Sequence, residues 1–197
     1  MTKRNQPELP EFAREAELSD DPQLRAALAQ LHPPVKSPPQ LLRERLLSTV
    51  ARPRLRFAPL FGPLSELFDL GDTALANLFE HAESPEAWAT SQIPGTRLFH
   101  LQGGPRVAHA DNGLVRVAAG TRFPQHRHLG LERVLVLDGG YRDEPSGRLY
   151  LAGAWHELEP GSSHAYSALP ERELLIAVSV VTGVDVEGFG TLSPSAG

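Results

Sequence analysis

A chain of 197 residues without cysteine is long enough for one domain of ordinary size plus an extension, and it excludes disulfides, thiolate nucleophiles, zinc ribbons and iron–sulfur clusters. Any bound metal must therefore be held by nitrogen and oxygen. The formal net charge of −5 is unevenly spread, with ten Lys/Arg against seven Asp/Glu in residues 1–59 and nine against seventeen in residues 60–197, so the bulk of the chain is a poor ligand for nucleic acid.

The first 21 residues are charged, contain two prolines and show no sustained period, which predicts a mobile tail. Asp21 and Pro22 then form a helix-start signal, and Leu24, Leu28 and Leu31 keep helical spacing until Pro33-Pro34. Ser37 and Pro38-Pro39 open a second amphipathic segment, with Leu41, Leu42, Leu46, Leu47 and Val50 on its apolar stripe and Pro53 as its stop. Helices this short are marginal without packing, so they must dock on the rest of the chain, on a second copy or on a partner protein.

Between Pro63 and Ala82 the residues Leu64, Leu67, Phe68, Leu75, Leu78 and Phe79 predict two short helices broken near Gly71-Asp72. Beyond Trp88 the texture changes to short period-two runs over residues 97–101, 114–118, 133–137, 148–151, 156–158 and 174–181. Glycine, proline and Asp/Asn separate them, as in an all-β sandwich or barrel. No signal peptide is visible, and the run 174–181 is too short to span a bilayer, so the expectation is a cytoplasmic protein with no membrane association.

The chemistry concentrates in one stretch. A strand places alternate side chains on one face, so His126 and His128 share a face, and Glu132 returns to it across a turn at Gly130. With Gly120 and Gly139 these residues read G-x5-H-x-H-x3-E-x6-G, which is similar to the first cupin motif at every defining position. Gly153, Gly161 and His164 follow the second motif, although Glu159 stands where that motif has proline, Pro160 sits one residue later, and Ala168 replaces its final Asn. His32, His81, His100, His109 and His156 lack matched spacing and are read as structural or solvent-facing, with His156 able to support a ligand from the strand that enters the second motif.

A narrower resemblance covers about residues 86–183. The run from Arg116 through Phe123-Pro124 to Glu132, continued by Val134 to Glu144, resembles the cupin domain of ChrR-type anti-sigma factors. The segment Pro39-Gln-Leu-Leu-Arg43-Glu-Arg45-Leu-Leu resembles the stretch that often joins that domain to its helical partner. The resemblance implies a mainly β fold, a double-stranded β-helix (cupin jelly-roll barrel) with short N-terminal α-helices. It divides the chain into an N-terminal tail and helical arm (1–59), a helical connector (60–88) and a cupin barrel (89–197).

It further implies a divalent metal on His126, His128, Glu132 and His164, zinc in first place, with manganese, iron or nickel as alternatives. The function implied is regulatory or sensory, with a sigma factor or other protein bound by the N-terminal helices and a small molecule or oxidant as signal. The N-terminal domain of that group holds its own zinc through a histidine and two cysteines, which this chain does not have. The alternative is a metal-dependent enzyme, a dioxygenase or isomerase of a small organic substrate, with Tyr141, Arg142, Trp155, His156 and Tyr166 as pocket candidates. A homodimer is expected because jelly rolls leave open sheet edges.

Overall fold

The computed structural model describes residues 55–192 together with Gln40. Apart from Gln40, which is helical, the expected helices at 21–32 and 37–52 fall outside the described residues. All that follows lies in the second of the two units into which the chain divides, residues 47–197.

Within residues 55–88 two α-helices precede the sheets: α1 (Phe61–Phe68) and α2 (Asp72–His81). The break between them lies where Asp69 takes a left-handed conformation with φ of 55°. Its carboxylate accepts the backbone N–H of Arg106 at 3.0 Å and the guanidinium Nε–H at 2.7 Å, which ties the end of α1 to a loop between strands.

Twelve strands follow among the described residues: β1 (Ala89–Thr90), β2 (Thr96–Leu101), β3 (Asp111–Val117), β4 (Arg122–His128), β5 (Glu132–Asp138), β6 (Gly140–Asp143), β7 (Leu149–Leu151), β8 (Trp155–Leu158), β9 (Ser163–Ala168), β10 (Leu174–Val180), β11 (Val184–Val186) and β12 (Gly190–Leu192). They form two six-stranded antiparallel sheets. One runs β1-β2-β3-β10-β5-β8 and the other β12-β11-β4-β9-β6-β7. This is the expected jelly roll.

Strand alternation divides the core into two layers. On β5 and β10, Val134, Val136, Leu174, Ile176 and Val178 pack between the sheets with Val117, Phe123, Tyr141 and Tyr166. The intervening Leu135, Leu137, Leu175 and Ala177 face the other way and pack with Phe61, Leu64, Leu67, Phe68, Leu75 and Phe79 from the helices. The unbroken run Leu174-Leu-Ile-Ala-Val178 is apolar because its strand is buried on both faces. Each large side chain so buried contributes roughly 1.5–3 kcal/mol, so the helices are part of the packed body.

Two glycines set the approach to the site. At Gly139, which closes the first motif, φ is +70°, a region where a side chain is strained. At Gly130, in the turn between β4 and β5, an added Cβ would lie 2.1 Å from the carbonyl oxygen of Val181. Gly130→Ala is therefore expected to lower stability by about 2–3 kcal/mol, seen as a lower urea midpoint with an unchanged slope.

Candidate metal centre

The register of β4 and β9 sets His126 directly opposite His164. His128, two residues along β4, lies on the same inward face, while Arg127 between them is exposed. One ligand atom from each of the three imidazoles falls within 4.8 Å of the others. Glu132 comes from β5 in the facing sheet, and its Oε2 lies 3.2 Å from Nε2 of His128. It approaches the cluster through that histidine, so the four residues span both walls of the barrel.

Each imidazole is held from behind. His126 Nδ1–H donates to the carbonyl of Pro124 at 3.0 Å, and His164 Nδ1–H donates to Asp143 Oδ1 at 2.8 Å. His128 Nδ1 lies 2.9 Å from the Ser162 hydroxyl oxygen. That hydroxyl gives its own proton to the carbonyl of Glu159 at 2.6 Å, so its oxygen accepts from His128. All three rings thus carry hydrogen on Nδ1 and leave the Nε2 lone pair free, the arrangement that outer hydrogen bonds impose on metal-binding histidines.

The electrostatics agree with this tautomer. Burial lowers the pKa of His126 to about 4 against a weaker upward pull from the Pro124 carbonyl. Burial likewise lowers that of His164, opposed by its bond to Asp143. Both rings are then neutral near pH 7.

His128 Nε2 is fully buried and has no hydrogen-bond partner, although a carboxylate oxygen faces it at 3.2 Å. Two acceptors pointed at one another in a dry interior are costly. A cation between them removes the cost, so the residues present fit a metal ion. Three imidazoles with a carboxylate suit zinc, manganese, iron, nickel or copper.

Two cavities meet at this cluster. A chamber of about 490 Å³ between the sheets is lined mainly by apolar side chains, with His126, Glu132 and His164 in its wall. A smaller space of about 270 Å³ is bounded by His128, His164, Asp143, Tyr150, His156 and Ser162 among others. Tyr141 borders both, and its hydroxyl lies 2.6 Å from Nε2 of His156. Tyr166 lines the chamber and stacks on Phe123 with ring centroids 4.9 Å apart.

Of the other pocket candidates, Arg142 is exposed, bonds the carbonyl of Gly147 and lines neither cavity. Trp155 packs against the helical layer and also lines neither. Among the remaining histidines, His81 and His109 are exposed and His100 pairs with Asp111 at 3.1 Å. His32 lies outside the described residues. Asp143, Ser162 and Tyr150 went unmarked in the sequence, and only the Gly-Ser-Ser-His run ending at His164 hints at Ser162.

A jelly roll with inward imidazoles at this spacing is a cupin. Residues 82–182, just over half of the chain, match the ChrR Cupin-like domain, and the chain belongs to that family. No curated protein matches it. Among solved structures it is similar to an acetylacetone dioxygenase from Acinetobacter johnsonii (14% identity over 56% of this chain and 82% of that one, TM-score 0.48). It is also similar to a chain of the Rhodobacter sphaeroides complex of SigE with the anti-sigma ChrR (22% identity, 86% and 79%, TM-score 0.47). A cupin-like protein of unknown function from Ralstonia eutropha JMP134 is similar at 20% identity, with 50% of this chain covering 64% of that chain and a TM-score of 0.43.

Proposed function

We propose that this protein is a metal-binding regulatory cupin in which His126, His128, Glu132 and His164 hold one divalent cation, zinc in first place. The observation that carries the reading is the set of three buried imidazoles, each fixed through Nδ1 by an oxygen with Nε2 left free. Membership of the ChrR cupin-like family supports a sensory role, with the signal read as a change at the metal. Such a signal acts only by binding one conformation better than another. The proposed partner is a sigma factor or other protein engaged by residues 1–59, in the cytoplasm. Among the described residues no helix is long and apolar enough to cross a membrane. A homodimer would cover an open sheet edge, for which β7 is suited by Leu149 and Leu151, 46% and 54% exposed.

Elemental analysis of the purified full chain tests the site, with one equivalent of metal expected and none overturning it. Asp143→Ala and Ser162→Ala are expected to weaken metal binding about 10–100-fold by freeing the rings they hold, measured by competition with a chromogenic chelator. Co-purification with sigma factors, loaded and metal-stripped, tests the partner. The second reading, a dioxygenase or isomerase of a small organic substrate, draws on the chamber beside the cluster, whose volume lies within the usual range for small-molecule sites.

A further inference from the structure

We propose that the barrel binds a small organic monoanion with an apolar body, its carboxylate at the metal centre and against the Tyr141 hydroxyl, its hydrocarbon in the 490 Å³ chamber. The inference rests on the metal reading above and goes on to name the ligand. Three observations support it.

The first is charge. Three neutral imidazoles and one carboxylate around a dication leave one unit of positive charge in the coordination shell, deep in an apolar interior where net charge is costly. The Asp143 carboxylate lies outside that shell, accepting from His164 Nδ1–H and from the N–H and hydroxyl of Ser146. Asp111, the other acidic residue bordering the chamber, pairs with His100. A monoanion on the cation makes the shell itself neutral.

The second is the direction of the Tyr141 bond. His156 Nδ1 is buried without a partner, and orphaned N–H groups are rarer than orphaned acceptors. The ring proton therefore sits on Nε2 and is donated to the Tyr141 oxygen at 2.6 Å. The phenolic hydrogen is left without an acceptor among the described residues, on a side chain that borders both cavities. Tyr141 is thus a free donor, with His156 as its positioning residue.

The third is the chamber itself. Ile93, Val115, Phe123, Val134, Ile176 and Val178 give it apolar walls. The hydroxyl of Thr96, a residue only 2% exposed, also has no partner there, so one further polar group on the ligand can be met.

The test uses the full chain loaded with cobalt, whose visible spectrum reports inner-sphere ligands, titrated with acetate, butyrate, hexanoate and octanoate. Affinity is expected to rise about fourfold per methylene. Tyr141→Phe should weaken every member at least about tenfold with metal content unchanged, and His156→Gln, which keeps a donor, should bind better than His156→Leu. Val178→Phe, or Val115→Phe if the first does not fold, should abolish the chain-length gain and spare acetate. A metal-loaded chain with a flat series, or a Tyr141→Phe protein indistinguishable from the parent, overturns this inference alone. A chain that takes up no metal overturns the reading beneath it as well.

Discussion

His128→Ala is expected to yield a folded chain that no longer retains metal through gel filtration, with affinity lowered at least about 100-fold. The floor follows from outer partners, whose loss already costs about 10–100-fold, whereas His128 supplies a donor atom. It is also the imidazole most enclosed by protein, at 0% exposure, held by Ser162 on one side and faced by Glu132 on the other. Its removal also leaves the Ser162 hydroxyl oxygen without its imidazole donor. The metal-free variant should be less stable than the metal-free parent by about 2–4 kcal/mol, from cavity and lost hydrogen bond together. Competition with a chelator reads the first effect and urea denaturation the second. Retention of a full equivalent of metal by a folded His128→Ala chain would remove the site from consideration.

The part of this site that sequence makes legible is the part governed by short periods. His126 and His128 share a face because a strand repeats every two residues, and Glu132 follows after a three-residue turn. The same rule separates the two pocket candidates that the structure moves away from the cavities. Arg142 adjoins Tyr141 on β6, and Trp155 adjoins His156 on β8. Adjacent strand residues cannot both face the barrel, so Tyr141 and His156 turn inward while Arg142 meets solvent and Trp155 the helical layer. Register alone tells which of two neighbours is inside, and register depends on pairing partners that lie far along the chain.

Contacts of long sequence separation are where the reading of single residues stops. Asp143 reaches His164 from 21 residues away and Ser162 reaches His128 from 34, and nothing local pairs either with the ring it holds. The amphipathic pattern of α1 and α2 is clear in Leu64, Leu67, Phe68, Leu75 and Phe79, but their docking on the outer face of β3, β5 and β10 is a property of the assembled sheet. Strands of two or three residues, such as β1, β11 and β12, carry too few alternations to stand out. The consequence is that β5 carries Glu132 into the barrel and Leu135 and Leu137 to the helices, so one strand touches both the histidine cluster and the helical layer.

Acid should destabilise the metal-free protein well above the range where carboxylates titrate. In the folded chain the His126 pKa is lowered to about 4 by burial, and that of His156 to about 4 by the same cause, against about 6.5 when unfolded. Between these values the unfolded chain binds protons that the folded chain refuses, so stability rises with pH across the window and is lost as pH falls from about 6.5 towards 4. His126 alone accounts for on the order of 3 kcal/mol; His156, less deeply buried, adds a smaller amount, and His164 acts in the same direction. Asp143, held below its ordinary value by its bonds to Ser146 and His164, adds to the loss only at lower pH, where it too takes up a proton. Bound metal alters the profile, because protons must displace it from the imidazoles before the rings can charge. The loaded protein should therefore keep its melting temperature to lower pH and then lose it more steeply, while the chelated protein declines gradually from about pH 6.5. Parallel thermal melts of the two forms between pH 7 and 4 measure this directly, and a chelated protein whose melting temperature is flat over that interval would show that the buried imidazoles are not held neutral by the barrel.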